Sequence, residues 1–151
     1  MTVNERLSVQ KLMLISHVIQ NDSKVETIKQ EFLNEFHVGK SELSDCIKDL
    51  LQTAYNEKNA EDVDYSLFIG FAFDVFTEDF SDILCKLIEE SWHFQHENIA
   101  SILQKLKMPN TIKSLYNASL LKLKYLEYSE VEPLAVKCIW ALGEIKTEEW
   151  V

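Results

Sequence analysis

The chain has 151 residues, of which 46% are hydrophobic, and it contains only three glycines and two prolines. That length supports one domain with its own core, and the scarcity of glycine and proline favours long helices over tightly turning strands. The formal net charge of −10 argues against nucleic acid as the main ligand, because phosphate binding needs an excess of lysine and arginine. We therefore expect one domain over residues 1–151.

Hydrophobic periodicity predicts seven or eight helices, the count depending on whether the first two merge. The apolar stripes and the polar residues that interrupt them place the helices at about 7–19, 23–36, 41–56, 62–76, 77–92, 97–107, 111–127 and 131–143. Gly39 ends the second helix, and Pro109 lies where a new helix must begin. We therefore expect an all-α fold.

The fourth predicted helix is apolar on nearly all sides. Aromatic and aliphatic residues fill most positions from Tyr65 to Phe76. A helix without a polar face is normally central to a core, whereas the alternative is an exposed aromatic groove that binds a partner. Gly70, in the middle, costs about 1 kcal/mol of helix propensity, which indicates close packing of another helix or a kink at that point.

No segment of the sequence is typical of a secretion signal or a membrane span. The start of the chain is polar, and the longest apolar run, Leu67 to Phe73, is too short to cross a bilayer. Cys46, Cys85 and Cys138 are widely spaced and lie within apolar helical patterns, which is typical of reduced core cysteines. We therefore expect a cytoplasmic protein without a membrane partner.

The last third of the chain contains an internal repeat. The segment from Ile102 to Ile112 aligns with that from Ala141 to Val151, 39 positions later, with apolar residues at the first, second, fifth and eleventh positions. Both copies fit the end of one helix, a polar turn and the start of another. Paired helices at a period near 40 residues are typical of α-solenoids, in which each pair buries its apolar face against the next. The expected architecture is a short solenoid of stacked antiparallel helix pairs.

The second copy carries a small residue, a basic residue, further small or apolar residues and then Ala-Leu-Gly-x-Ile. The residues are Ala135-Val136-Lys137-Cys138-Ile139-Trp140-Ala141-Leu142-Gly143-Glu144-Ile145. This pattern resembles the inner helix and turn of HEAT-like repeats, most clearly over residues 97–151, and the resemblance implies a binding scaffold. The sequence departs from the pattern at Trp140, where a small residue is usual, and at Lys146-Thr147, where the turn is usually Gly-Asp. The alternative is an ordinary amphipathic helix with a glycine near its end.

Acidic residues are concentrated in the middle of the chain and again near residue 130. From Glu57 to Asp82 there are eight acids and one lysine, whereas five lysines and no acid lie between Asn98 and Leu126. The candidate partner-binding residues are Glu61, Asp62, Asp64, Glu78, Asp79 and Asp82, followed by Glu127, Glu130 and Glu132. Stacked turns along one edge of a solenoid would merge these acids into a patch that steers a basic partner. The alternative is that acids favour helix N-termini and keep the protein soluble.

The sequence lacks motifs for catalysis and cofactor binding. Three isolated glycines do not form a phosphate-binding loop, no serine lies in a Gly-x-Ser-x-Gly elbow, and the cysteines lack Cys-x-x-Cys spacing. On a continuous helix Glu89, His93 and His96 would share a face and could hold a metal ion, but such histidines are more often solvated pairs. We therefore expect no enzyme activity, no cofactor and no metal site.

Small size, negative charge and the HEAT-like C-terminal pattern together resemble the immunity proteins encoded beside bacterial polymorphic toxins, including those of contact-dependent growth inhibition. That resemblance implies stoichiometric binding of a cognate toxin domain and blockage of its active site or substrate entry. The toxin is expected to be a basic nuclease, because an acidic inhibitor can occupy the electrostatic footprint of the nucleic acid. The alternative is a HEAT-like scaffold that docks an unrelated protein through its apolar helix faces.

Overall fold

The protein is all-helical over the residues that its computed structural model describes, 1–18, 22–127 and 132–145. Eight α-helices lie within these ranges: α1 Val3–Val18, α2 Asp22–Phe36, α3 Leu43–Glu57, α4 Ala60–Phe73, α5 Ser81–Ile88, α6 His96–Leu106, α7 Ile112–Ser119 and α8 Pro133–Glu144. Short 3-10 turns occur at Lys40–Glu42, Glu78–Phe80, Pro109–Thr111 and Lys124–Leu126. The all-α prediction with seven to eight helices is confirmed. None of the described helices is long and apolar enough to cross a membrane.

The predicted bounds of the fourth helix are wrong at both ends. The helix begins at Ala60 because Asn59 caps it, its side-chain oxygen accepting a hydrogen bond from the Asp62 N–H at 3.1 Å. It ends at Phe73, where Asp74 takes a left-handed conformation with φ 50°. A non-glycine residue in that conformation gives no sequence signal comparable to a C-terminal glycine.

Two other predicted helices are too long. The predicted helix from 77 to 92 ends at Ile88 and is preceded by a 3-10 turn. The predicted helix from 111 to 127 stops at Ser119, whose hydroxyl donates a hydrogen bond to the carbonyl of Tyr116 at 2.6 Å. Such a bond to the preceding turn competes with the helical ladder. The chain beyond it instead buries Leu123 and Leu126 against the core.

The helices pack mostly with neighbours in the chain. Helix α1 lies against α2 and α4, α3 pairs with α4 and contacts α5, and α5 also packs against α6 and α7. Helix α8 packs against both α6 and α7. Buried apolar side chains from all eight helices form one core cluster. This packing places α3 beside α5, and it places α8, the last described helix of the chain, against α6 and α7.

Helices α6 and α8, in which the two aligned copies of the repeat begin, pack side by side. Lys137 of α8 donates a hydrogen bond to Ser101 Oγ at 3.4 Å, and Gln104 Nε2 of α6 donates one to Glu144 Oε1 at 2.8 Å. Residue numbers rise together along both helices, so α6 and α8 run parallel. Helices of successive solenoid repeats are related in the same way. Val151, the last position of the second copy, lies outside the described residues.

Helix α4 is central to the core, as its apolar sequence predicts. Val63, Leu67 and Ile69 are fully or almost fully buried, although Phe71 is exposed. Close helix packing or a kink was expected at Gly70, but the structure instead places a ring from beyond the helix against this glycine. A Cβ atom built on Gly70 would lie 2.3 Å from Cζ of Phe76. That ring is itself held edge-on against two other phenylalanine rings.

Candidate binding surface

Four carboxylates, from two packed helices and the 3-10 turn between them, border one open depression on the protein surface. Asp45 and Asp49 come from α3, Asp79 from the 3-10 turn that precedes α5, and Asp82 from the first turn of α5. The Asp45 and Asp79 side chains are 83% and 76% exposed. We call these four residues the acidic face. Glu78, in the same 3-10 turn, is also exposed.

Two lysines partly compensate this charge. Lys48 lies 3.3 Å from Asp45 and 3.8 Å from Asp79, so it joins α3 to the 3-10 turn that precedes α5, and its ammonium also lies over the ring of Phe80. Lys86 also borders the depression, and its ammonium lies over the ring of Tyr55. Four acids and two lysines leave a formal charge of −2. Because the carboxylate of each ion pair is largely exposed, these pairs contribute little to stability, and a basic partner can compete for Asp45 and Asp79 at low cost.

Asp62 does not belong to any exposed acidic surface. Its side chain is 2% exposed and accepts hydrogen bonds from Arg6 Nε at 2.8 Å, Arg6 Nη2 at 3.1 Å and the Met1 ammonium at 3.0 Å. Burial alone would raise the pKa of Asp62, but the hydrogen bonds and charges of these two cations outweigh it, so the pKa lies below its ordinary value. A carboxylate used in this way holds α1 to α4 and is not available to a partner.

Asp64 also turns to an internal partner, whereas Glu61 remains exposed. Asp64 Oδ1 accepts a hydrogen bond from Gln95 Nε2 at 3.0 Å, and partial burial raises the pKa of this carboxyl group, against the effect of that bond. Glu61 lies in the first turn of α4 without burial. The structure therefore separates the six central candidates, and only Asp79 and Asp82 join the acidic face.

The second group of candidates lies around the start of α8. Glu127 and Glu132 are exposed, and Glu132 forms a short ion pair with Lys122. Glu130 lies outside the described residues. Two described carboxylates and one lysine leave a formal charge of −1 here, against −2 at the acidic face, so this group is the weaker candidate.

The three residues considered for a metal site do not share a helix face, because α5 ends at Ile88 and α6 begins at His96. Glu89 is exposed and accepts hydrogen bonds from Ser114 and Asn117. His93 and His96 are buried, with their rings stacked 4.0 Å apart. Among the described residues, no group of three or more histidine, cysteine or carboxylate side chains is arranged to hold a metal ion.

The two imidazoles instead organise the chain between α5 and α6. The Gln95 N–H donates a hydrogen bond to His93 Nδ1 at 3.1 Å, so His93 Nε2 carries the proton and donates to the Leu87 carbonyl. His96 Nε2 likewise bonds the Glu90 carbonyl. Burial lowers the pKa of His93 to about 4, and burial also lowers that of His96. Both rings are therefore neutral at pH 7 and satisfy carbonyl groups at the end of α5.

Asp45 and Asp49 belong to the acidic face but were not among the candidate residues identified from the sequence. They lie four residues apart on α3, opposite the buried face formed by Leu43, Ile47 and Leu51, and that spacing places both on the outer side of the helix. The spacing alone could have shown that they are exposed. Only the packing of α3 against α5 brings them beside Asp79 and Asp82.

The expectation that all three cysteines are core residues is confirmed only for Cys138. Cys138 is buried, and burial raises its pKa to about 12. Cys46 and Cys85 are half-buried and free, and burial also raises their pKa values. A high pKa keeps a thiol protonated and unreactive.

No family model, curated protein or solved structure matches this chain.

Proposed function

We propose that this chain is an immunity protein that binds and neutralises a cognate bacterial toxin domain. The observation that carries the proposal is the acidic face, where four carboxylates from α3, from α5 and from the 3-10 turn before α5 border one open depression. The expected toxin domain is a basic nuclease, since a surface that attracts phosphate backbones also attracts clustered carboxylates. Binding would be stoichiometric, and the inhibitor would occlude the active site or its entrance.

The whole-chain charge supports this assignment. A net charge of −10 raises the rate of encounter with a basic partner, and the acidic face supplies the local complement. The carboxylates at the face are exposed in the free protein, so binding requires little rearrangement. We therefore propose Asp45, Asp49, Asp79 and Asp82 as the primary contact, with Glu78 beside them and Glu61, Glu127 and Glu132 as outer charges. Asp62 and Asp64 are left out because they already bond other parts of the chain.

The proposal predicts that a toxin domain is encoded next to the gene for this chain, and that domain is used in the test. The two proteins are produced together with an affinity tag on the toxin domain, and cell survival and co-purification are measured. The expected result is survival and recovery of a complex of defined stoichiometry. If the chain neither rescues the cells nor co-purifies with the toxin domain, the immunity proposal is wrong.

A protein-binding scaffold is the second candidate, and one observation favours it. Val3, Leu7 and Leu14 form an exposed apolar stripe along α1, on the side away from its buried residues. Exposed apolar patches of soluble proteins often mark binding sites. A scaffold of this kind would lose its partner when Leu7 and Leu14 are changed to serine and would keep it when the acidic face is reversed. An immunity protein that acts through the acidic face should keep its partner when Leu7 and Leu14 are changed to serine and lose it when the charges of the acidic face are reversed.

A further inference from the structure

A partly enclosed apolar cavity of about 210 Å³ lies where α1, α2 and α4 meet. One turn of each helix supplies its apolar lining: Leu12 and Ile15 of α1, Val25 and Ile28 of α2, and Phe68 and Ala72 of α4. Spacings of three or four residues place each pair on a single helix face. All of these side chains except Leu12 are half-buried rather than buried, because one side of each faces the cavity.

The size and lining of the cavity suit a small apolar group. An engineered protein cavity of about 150 Å³, lined by leucine, isoleucine and phenylalanine, binds benzene. This cavity has a lining of the same kind and is somewhat larger, but it is smaller than the roughly 300–1,000 Å³ pockets that hold drug-sized ligands. It therefore has room for an alkyl chain of several carbons, and each methylene group buried there strengthens binding about fourfold.

A lysine borders this apolar lining. Lys29 follows Val25 by one turn of α2, and its ammonium lies 5.4 Å from the centroid of the Phe73 ring on α4. In the part of the chain that the structure describes, no carboxylate lies within 4 Å of this ammonium. Lys29 is also the one charged side chain among the described lining residues. The cavity therefore combines an apolar interior with a cation that is free to pair with an anion.

We propose that this cavity binds a medium-chain alkyl carboxylate, with the alkyl chain between α1, α2 and α4 and the carboxylate on Lys29. Burial against the lining selects the alkyl chain, and the ammonium selects the anionic end. A net charge of −10 repels anions from most of the protein surface, so the local charge of Lys29 is needed to hold one here. The cavity shares no residue with the acidic face, and the proposal is therefore independent of toxin binding.

The test is an NMR titration of the whole chain with sodium octanoate at pH 7, below the concentration at which octanoate forms micelles. The methyl resonances of Ile15 and Ile28, which line the cavity, report binding at this site. We expect their shifts to saturate with one octanoate per chain. The affinity should fall about fourfold for each methylene group removed, as measured with hexanoate and butanoate. Ala72→Met places a longer apolar side chain in the cavity and should abolish these shifts.

A second variant tests the role of the cation. Lys29→Met keeps an apolar stem but removes the charge, so it should bind octanoate about three- to fivefold more weakly and bind octanol as the wild type does. The matched control is Lys24→Met, an exposed lysine of α2 outside the lining, which should bind octanoate as the wild type does. Circular dichroism verifies that each variant is folded.

Three results would overturn the proposal. The first is the absence of saturable shifts in the wild type, and the second is equal octanoate binding by a folded Ala72→Met variant. The third is an octanoate affinity of Lys29→Met equal to that of the wild type or of Lys24→Met, since the cavity would then accept alkyl chains without recognising the carboxylate.

Discussion

Arg6 donates two hydrogen bonds to the carboxylate of Asp62, from Nε at 2.8 Å and from Nη2 at 3.1 Å. This bidentate pair joins the first turns of α1 and α4, which are far apart in the sequence. Paired hydrogen bonds between a guanidinium and a carboxylate are among the strongest side-chain contacts in proteins. An acid that looked like part of a binding patch therefore has a structural role.

Replacing Asp62 by asparagine should destabilise the protein by about 2 kcal/mol. The amide keeps the size of the side chain but leaves the guanidinium of Arg6 without an opposing charge, and Arg6 is only partly exposed. The free energy of unfolding is measured by urea denaturation at pH 7. Glu61→Gln, an exposed neighbour in the same helical turn, is the control and should change it by less than about 0.5 kcal/mol. Equal effects of the two substitutions would show that the Arg6–Asp62 pair does not stabilise the fold.

The buried histidine pair should make the protein less stable in weak acid. The pKa of His93 is about 4 in the folded protein and about 6.5 in an unfolded chain, so the unfolded state binds the proton first. Stability is therefore greatest above pH 6.5 and falls as the pH decreases toward 4, by about 3 kcal/mol for His93 alone. The pH dependence of the urea midpoint measures this loss. A His93 ring that titrates near pH 6.5 by NMR would contradict the structure.

The stability that depends on the carboxylate of Asp62 is lost at lower pH than that of the histidines. The pKa of Asp62 is depressed in the folded protein, so its contribution is complete above the unfolded value of about 3.9 and disappears as the pH falls through the folded value. In Asp62→Asn, the loss of stability below about pH 3.9 should be smaller than in the wild type. The same urea series, extended below pH 4, measures the difference. If the stability of Asp62→Asn and of the wild type fell equally with pH below 4, this result would contradict the pairing of Asp62 with Arg6.

The same substitution at two glycines should have opposite effects. Gly70→Ala gains about 1 kcal/mol of helix propensity, but its Cβ atom displaces the ring of Phe76, so we expect a net loss of about 1 kcal/mol. Gly143→Ala meets no neighbour within 4 Å and should stabilise α8 by about 0.5–1 kcal/mol. Thermal unfolding at low protein concentration measures both variants. A stabilised Gly70→Ala would show that the Phe76 ring moves aside without cost.

Helix number and order could be predicted from the sequence because hydrophobic periodicity is local. Helix ends were harder, since the chain has few glycines and closes helices with other residues in left-handed conformation. Lys58, Asp74 and Lys107 end α3, α4 and α6 in this way. The end of α5 also depends on His93 and His96, which bond carbonyl groups at that end. These contacts form only in the folded chain, so no local pattern predicts them.

The candidate surface was predicted only in part, for a related reason. Asp79 and Asp82 were identified because acids are dense in that stretch of sequence, and the same density suggested Asp62. Exposure separates them: Asp79 faces solvent, whereas Asp62 is buried beside Arg6. Asp45 and Asp49 were missed because the contact between α3 and α5 joins distant parts of the chain. Charge density along a sequence indicates which acids could act together, but burial and packing decide which ones do.

The most direct test of the proposed function is a titration of the toxin domain with charge-reversed variants. Asp79→Lys/Asp82→Lys reverses two residues of the acidic face, and Glu26→Lys/Glu31→Lys makes the same change in net charge on exposed positions of α2, a helix that packs chiefly against α1. Calorimetry at low and high salt measures the dissociation constants. We expect the first variant to bind about tenfold or more weakly and the control to bind nearly as the wild type does, with weaker binding of all three at high salt. Equal affinities for the wild type and the first variant, or binding that does not respond to salt, would contradict an inhibitor that acts through its acidic face.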